Sequence, residues 1–595
     1  MSALAASVGT PSTAGAPLIV GLVALPMAAA LAAVLLRRRA ASAAVLLSAP
    51  ILVGLAFAAA AMVLSTGSPI ECVLGAWKPP LGIVLRADGL GTAMMVVTAT
   101  IASAVALFAA ATERRGAAMR GTAPGSSLND AGATPGPADP PPGDHSGGPA
   151  EAGGEADGGG ERQPDAAPER ASATFWVLLA SVWGALNLTF IANDLFTLFV
   201  ALELLTFAAV PLVCLAGTPP ALRAALRYLL LAMAGSMLYL LGVALVYGSL
   251  GALDLSLIAE LIAPGTDSAP RGVLLLALVL ATTGMLVKTA LVPLHAWLPP
   301  AHAGAPPQAS ALLSALVVKG SWFVILRLWL TLGEVPGGRT VAFALAALGA
   351  VAILFGSATA LRQRSLKLLV AWSTVAQIGY LFVAFPALVA AAAPTLATEA
   401  LRGGMLQAIS HAFAKAAMFL AAGLLVERAG RDRIDALGGA FRRMPIIFAA
   451  FAIGGLSLMG LPPSGGFWAK WLLLQATIGV GAWWLALTIL AGGVLAGAYL
   501  LRVLRACGAE APADLGADRA VVAAPAAAIA PDRLRTAIVL GLALVSMFLG
   551  FAAMVPAERC GVRRLLRSEP ITQLDRPIEV LPPPSTPHGA AEAAP

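Results

Sequence analysis

The sequence predicts an all-α, polytopic membrane protein of about fourteen transmembrane helices, and three observations lead to this prediction. Of the 595 residues, 59% are hydrophobic, which is more apolar surface than a soluble fold can bury. Only 12% are charged, about half the share found in an ordinary soluble domain. Mainly apolar runs of about eighteen residues or more, long enough to cross a bilayer, recur along the chain.

Each apolar run predicts one membrane span. The runs lie near residues 16–36, 43–65, 90–112, 174–191, 194–216, 228–248, 272–298, 303–330, 340–361, 368–390, 403–426, 444–476, 480–500 and 536–555. No basic residue precedes the first run, which therefore predicts a span and not a cleaved signal peptide. Between the sixth and seventh spans, LDLSLIAELIA predicts a short helix at the outer surface.

Two spans contain prolines that a continuous helix cannot accommodate. The seventh contains Pro293 and is followed directly by Pro299 and Pro300, and the twelfth contains Pro462 and Pro463 among glycines. Proline removes a backbone donor and interrupts the helix. Non-helical backbone at membrane depth is tolerated only where protein or a water-filled cavity surrounds it. We therefore predict two discontinuous helices, of the kind that marks the transport site in inverted-repeat transporters.

Polar segments divide the chain into five predicted parts. These are spans one to three in 1–112, an inner loop in 113–172, a core of spans four to thirteen in 173–505, a loop with span fourteen in 506–555, and a tail in 556–595. The inner loop is rich in Gly and Pro and has no Phe, Trp or Tyr. Because such a segment cannot bury enough apolar surface to offset its ordering entropy, we predict that the loop and the tail are disordered.

The distribution of basic residues predicts the topology. Most of the 38 Lys and Arg residues fall in loops that share one side when the N-terminus is placed outside. The positive-inside rule then places both termini outside. The net charge of +7 does not indicate a nucleic-acid partner, because no stretch interleaves basic with aromatic residues.

Ionisable side chains in the predicted spans are the first candidates for function. They are Glu203, Lys288, Lys319, Lys415 and Lys470. A charge at such depth costs several kcal/mol by most scales, so it is kept where it faces a bundle interior or a wet path.

Glu203 and Lys288 are predicted to pair across spans five and seven. Burial disfavours the charge of each group alone, and pairing restores both charges. A pair that forms and separates is a switchable proton site. The alternative is a static ion pair that fixes helix register.

The remaining candidates extend the predicted path. Lys319 lies on the next span and could receive a proton through water, unless it snorkels to an interface. His411 and Lys415 are four residues apart and share a helical face, so the histidine is a possible relay or a packing residue. His295 and His302 flank the broken helix end as further possible relays. Lys470 follows the second break as the last site before the far side.

Motifs for other chemistry are absent from the sequence. Cys72, Cys214, Cys507 and Cys560 show no CxxC spacing, so we interpret them as small apolar residues. The chain has no Gly-rich phosphate loop, HExxH or GxSxG. We expect no cofactor, no metal and no redox chemistry of its own. The function that the residues can support is the movement of protons or ions.

Several strings resemble a known family. They are LVKTALVPLHAWLPPAHAGAPPQASALLSALVVKG, AWSTVAQIGYLF, ISHAFAKAAMFLAAGLL and GLPPSGGFWAKW. They are similar to the antiporter-like subunits shared by Mrp-type sodium/proton antiporters, respiratory NADH–quinone oxidoreductase and membrane-bound hydrogenases. The resemblance implies fourteen helices with an inverted pair of five-helix repeats. It also implies a proton path through Glu203, Lys288, Lys319 and Lys470.

The branch of the family decides the expected function. The segment LGAWKPPLGIVLRADGLGTAMM looks most like the D subunit of Mrp antiporters, with the N-type respiratory subunit next. The leading expectation is a proton-conducting subunit of a sodium/proton antiporter, with other membrane subunits as partners, in a prokaryotic plasma membrane. The alternative is the pump module of a redox complex, whose partners would carry the electron transfer. A third alternative is a membrane scaffold without transport.

Overall fold

The computed structural model describes residues 13–35, 38–74, 82–121, 166–263, 270–390, 393–510 and 532–554. Within these residues, thirteen helices are long and apolar enough to cross a membrane. The predicted all-helical membrane class is confirmed.

In the described part of the first half of the chain, the regular elements are helices and two paired strands. Its helices are α1 (Ala16–Leu35), α2 (Arg38–Thr66), α3 (Gly89–Gly121), α4 (Ala166–Ile191), α5 (Leu195–Cys214), α6 (Pro219–Leu250), α7 (Leu255–Leu261) and α8 (Arg271–Thr289). The predicted short helix between spans six and seven is α7. The antiparallel strands β1 (Ile70–Leu74) and β2 (Ile83–Ala87) were not predicted, and they lie between α2 and α3.

The second half contains more short elements. They are α9 (Leu298–Gly304), α10 (Pro307–Leu312), a π-helical turn (Leu313–Val317), α11 (Val318–Leu332), α12 (Gly338–Arg362), α13 (Leu366–Phe382), α14 (Phe385–Leu388), α15 (Pro394–Ala429), a 3₁₀ turn (Ile434–Leu437), α16 (Ala440–Arg443), α17 (Pro445–Met459), α18 (Gly465–Gly479), α19 (Trp483–Gly508) and α20 (Arg533–Met554). The stretch from α10 through the π-helical turn to α11 is one continuous span.

Both predicted helix breaks are present. Helix α8 ends before Ala290, which has a left-handed φ of 60°, and α17 ends before Gly460, which has a φ of 88°. A leucine follows directly in each case, and a proline two residues after it. The twelfth predicted span is thus two helices of 15 residues each, α17 and α18. This split explains why thirteen long helices are found where fourteen spans were predicted.

The most buried spans form the centre of the bundle. The span formed by α10 and α11 is buried throughout, and α13 and α15 are nearly so. By contrast, less than half of the apolar window of α1, α6 and α20 is buried. The central spans α11 and α15 carry Lys319 and Lys415, which are both fully buried.

The prediction that residues 113–172 form a loop is wrong at both ends of that range. Helix α3 continues to Gly121 and α4 begins at Ala166, so both ends of 113–172 are helical. The carboxylate of Glu113 accepts hydrogen bonds from Ser172 Oγ and from Trp176 Nε1, the latter at 2.8 Å, which holds the two helices together. Residues 122–165 and 555–595 lie outside the described residues, so the predicted disorder of the loop and tail remains a prediction.

Candidate functional site

Lys288 and Glu203 form the predicted pair. The Nζ atom of Lys288 donates to Oε1 of Glu203 at 2.9 Å and to Oγ1 of Thr206 at 2.7 Å. Ser236 of α6 donates to the same Glu203 oxygen. The second carboxylate oxygen of Glu203 is buried and has no partner among the described residues. The carboxylate therefore keeps a free acceptor beside the ammonium.

Close packing of α6 against α8 positions this pair. A Cβ atom added to Gly284 would lie 2.2 Å from the carbonyl oxygen of Gly235. Only residues without a side chain allow the two backbones to approach this closely, as is common where membrane helices cross. The contact brings Ser236, next to Gly235, to the carboxylate that Lys288 binds.

A small cavity lies between Lys288 and α11. Its volume of about 10 Å³ is room for about one water molecule. Thr206, Tyr228, Lys288 and Ser321 are among its lining residues. Because Ser321 belongs to α11, a water in this cavity would connect the Lys288 ammonium with the helix that carries Lys319.

Lys319 is the second residue after the π-helical turn. Its ammonium donates to the carbonyl oxygen of Ser314 within that turn, and the residue is 0% exposed. The alternative that Lys319 snorkels to an interface is therefore wrong. A π-helical turn shifts the backbone hydrogen-bond pattern and is often found at functional sites.

Lys415 continues what we call the lysine row, which consists of Lys288, Lys319, Lys415 and Lys470. Two histidines, His411 and His302, accompany it. The ammonium of Lys415 donates to Val370 O at 2.9 Å and to Ser373 Oγ at 2.5 Å. Both histidines are buried, and neither has a hydrogen-bonded ring nitrogen among the described residues.

Electrostatic contacts place the two histidines among the lysines. His302 interacts with Lys319 and Lys415, and His411 interacts with Lys319, Lys415 and Lys470. Two buried imidazoles, whose ring nitrogens have no hydrogen-bond partner among the described residues, therefore lie within electrostatic range of the lysine ammonium groups.

His295 is not part of this row. It lies in the non-helical segment between α8 and α9, half-buried against the rings of Phe355 and Trp372. None of the lysines is among its electrostatic neighbours.

Lys470 occupies the second helix break. Its ammonium donates to the carbonyl oxygens of Leu458 at 2.5 Å and of Met459 at 3.0 Å. It also lies over the Tyr380 ring, 4.5 Å from the centroid. The last carbonyls of a helix have no intrahelical partner and carry the negative end of the helix dipole. The end of α17 is therefore a binding site for a cationic group.

The four lysines differ in their partners. In the part of the chain that the structure describes, Lys288 alone among them contacts a carboxylate. Lys319, Lys415 and Lys470 contact carbonyl and hydroxyl oxygens instead. A buried ammonium without a counter-charge is readily deprotonated, so these groups suit the transfer of a proton.

Sequence reasoning missed two sets of polar residues. One is the bidentate ion pair between Asp88, which precedes α3, and Arg327 of α11. The other is Ser373 and Gln377, which are buried one turn apart on α13. The spacing of four in AWSTVAQIGY was the signal for the second set.

The described residues contain no group of three or more His, Cys, Asp or Glu that could hold a metal ion.

Comparison with known proteins identifies the family. The family model described as NADH:quinone oxidoreductase/Mrp antiporter, transmembrane, matches residues 192–496, which include both broken helices and the whole lysine row. The chain belongs to this family. NADH-quinone oxidoreductase subunit N of Desulforudis audaxviator is 30% identical over 523 residues, which cover 84% of this chain and 90% of that protein.

Other members of the antiporter-like family match over shorter stretches. F(420)H(2) dehydrogenase subunit N of Methanosarcina mazei is 33% identical over 53% of this chain and 63% of its own length. Hydrogenase-4 component B of Escherichia coli is 31% identical over 48% of this chain and 42% of its own length.

Two solved complexes share the antiporter-like fold. Chains from the Mrp complex of Dietzia sp. and from an archaeal membrane-bound sulfane sulfur reductase match with TM-scores of 0.72 and 0.71. Each match covers 93% of this chain and 97% of the other, at 22% and 23% identity. The predicted likeness to the Mrp D subunit in particular is not distinguished, since the relatives named above are mostly N-type or hydrogenase subunits.

Proposed function

We propose that this chain is the proton-translocating, N-type membrane subunit of a redox-driven complex related to NADH–quinone oxidoreductase. The observation that carries the proposal is the Lys288–Glu203 ion pair at a helix break, followed by Lys319, Lys415 and Lys470, which contact no carboxylate among the described residues. The 30% identity to a subunit N over most of both chains favours the redox-driven branch. Electron transfer belongs to the partner subunits.

The contacts of Lys288 explain how the pair works as a switch. With the pair closed, Glu203 and Thr206 stabilise the Lys288 ammonium. When Glu203 moves away, the ammonium loses its counter-charge and gives its proton to a water molecule in the cavity beside Ser321. Lys319, with His302 and His411, then carries the proton toward Lys415 and Lys470.

A second candidate is the D subunit of a monovalent cation/proton antiporter. The fold supports it, because a chain of the Dietzia Mrp complex matches over 93% of this chain. In this function, proton entry through the same row would drive export of sodium or a similar cation. Both candidates place the chain among other membrane subunits in a prokaryotic plasma membrane, with its termini outside.

One assay separates the two candidates. Everted vesicles that carry the full complex are supplied with NADH or with NaCl, and a fluorescent ΔpH indicator records proton movement. We expect NADH to acidify the lumen in the wild type and the Lys288→Ala variant to abolish the signal. A pH change produced by NaCl and absent with NADH would favour the antiporter. If neither NADH nor NaCl produced a Lys288-dependent signal, the alternative of a membrane scaffold without transport would remain.

A further inference from the structure

One face of α13 carries two polar residues that contact the Lys415 and Lys470 sites. Ser373 and Gln377 lie four residues apart on α13, and both are buried. Ser373 Oγ accepts a hydrogen bond from the Lys415 ammonium at 2.5 Å. One turn further, Gln377 Nε2 donates to Leu458 O at 3.1 Å. The Lys470 ammonium donates to that same carbonyl oxygen, so α13 contacts both lysine sites.

The orientation of Gln377 is fixed from its other side. Its Oε1 atom accepts a hydrogen bond from Gln407 Nε2 of α15 at 3.0 Å. The amide therefore spans from α15 to the end of α17. An amide neither gains nor loses protons at physiological pH, so Gln377 is a positioning residue and the proton must pass over another group.

Tyr499 of α19 supplies that group. Its side chain is 1% exposed, and its hydroxyl lies beside both Ser373 and Gln377. The hydroxyl makes no hydrogen bond of ordinary geometry among the described residues. The other buried tyrosine near Lys470 is different, because the Tyr380 hydroxyl donates to Ile489 O at 3.3 Å. Tyr499 thus places a buried hydroxyl beside Ser373 and Gln377, the two residues of α13 that contact the lysine sites.

We propose that Ser373 and Tyr499 form a hydroxyl relay between Lys415 and Lys470, with Gln377 as the residue that positions it. The proposal rests on the proposed function and specifies one step of it. The Lys415 ammonium gives a proton to Ser373 Oγ while the proton of Ser373 passes to Tyr499. The proton of Tyr499 passes through one water to the unprotonated amine of Lys470. Lys415 ends neutral, Lys470 ends as the ammonium held by Leu458 and Met459, and both hydroxyls are restored.

Rotation of Ser373 completes the relay. In the structure its hydroxyl donates to Val370 O at 2.8 Å, and a hydroxyl rotates freely between acceptors. The relay therefore begins with a turn of the Ser373 hydroxyl from Val370 O toward Tyr499.

The test compares two tyrosine variants in the everted vesicles described above. Tyr499→Phe removes the relay hydroxyl, and we expect proton transport to fall at least tenfold with normal assembly of the complex. Tyr239→Phe is the matched control, since it removes a buried hydroxyl of α6 that donates to the backbone carbonyl oxygen of Leu195 at 3.0 Å. We expect this variant to transport at near the wild-type rate.

Two substitutions of Ser373, called here the serine pair, distinguish loss of the relay from a folding defect. Ser373→Ala should reduce transport as strongly as Tyr499→Phe, and Ser373→Thr, which keeps the hydroxyl, should restore it. If Tyr499→Phe does not assemble, the serine pair decides the result. Wild-type rates in assembled Tyr499→Phe or in Ser373→Ala would overturn the relay while Lys288→Ala remained inactive. Wild-type transport in Lys288→Ala would instead overturn the proposed function.

Discussion

The Lys470 ammonium lies 2.5 Å from the carbonyl oxygen of Leu458, in the last turn of α17. A lysine on one half of a broken helix thereby satisfies the free carbonyls at the end of the other half. The arrangement joins fold to function, because the group that completes the helix end is also one that can release a proton.

Replacements of Lys470 should separate hydrogen bonding from proton exchange. We expect Lys470→Glu to keep measurable transport with a shifted pH optimum, because a protonated carboxyl can donate to Leu458 O and still titrate. Lys470→Gln can donate to the same carbonyl but cannot titrate, and should be inactive. Lys470→Met should also be inactive, as should Lys470→Arg, which stays protonated. Transport rates over a pH series at matched membrane levels test this. Full activity in the Gln, Met or Arg variant would make Lys470 a structural residue.

Removal of either member of the Lys288–Glu203 pair should abolish transport. Lys288→Ala and Glu203→Ala each leave half of a switch, so the double variant should be no worse than either single variant. The control is Arg86→Ala, which removes the 2.7 Å ion pair with Glu71 on the hairpin and should leave transport near normal. Proton transport in vesicles is the measurement, and near wild-type rates in either single variant would contradict the assignment.

The Asp88–Arg327 pair should contribute to stability. Removing one member of a buried ion pair costs about 3–5 kcal/mol, so Arg327→Met should clearly lower the thermal unfolding temperature of the detergent-purified complex. Arg433 and Asp435 form an exposed pair, and Arg433→Ala should leave the unfolding temperature nearly unchanged. Equal effects of the two substitutions would show that burial does not determine the contribution.

The stability contributed by Asp88 should depend on pH. Burial by itself raises the pKa of Asp88, but Arg327 and the Gly91 N–H outweigh burial and hold that pKa below its ordinary 3.8. A lowered carboxyl pKa stabilises the fold above the unfolded value, and this contribution is lost as pH falls through the folded value. The difference in unfolding temperature between wild type and Asp88→Asn should therefore be largest near neutral pH and shrink below pH 3.8. A constant difference down to pH 3 would refute it.

Gly284→Ala should disturb the site through packing. The added methyl group would lie 2.2 Å from Gly235 O, which forces α6 and α8 apart and costs about 1–3 kcal/mol. Because α8 carries Lys288, transport should fall as well. Gly272→Ala on the same helix meets nothing within 4 Å and serves as the control. The prediction fails if both variants show the same unfolding temperature and transport rate.

Replacing residues 122–165 with a short Gly/Ser linker should leave activity close to normal. The predicted disorder of this segment implies few contacts with the bundle, and Glu113 holds α3 to α4 through Trp176 without it. Expression and transport of the shortened chain are the measurements. A large loss of activity in a well-expressed variant would indicate that the segment docks a partner subunit.

Local chemistry determined the parts of this protein that the sequence predicts. A bilayer offers no partners to backbone groups, so apolar length alone predicted the helices, and Pro293 and Pro463 marked the breaks because proline cannot continue a helix. The cost of burying charge singled out Glu203 and the four lysines before any contact was known.

Only the tertiary structure decided which groups meet. Lys470 binds Leu458 O because α18 folds back on the end of α17, and Arg327 reaches Asp88 across 239 residues of sequence. His295 and His302 look equivalent in the sequence, yet they have different surroundings. His302 is buried in α9 and stacks on Phe419 of α15, the helix that carries Lys415. His295 lies half-buried between α8 and α9 against Phe355 and Trp372. Ser373, Gln377 and Tyr499 come together from α13 and α19 by helix packing. Their partners depend on crossing geometry, which local pattern does not encode.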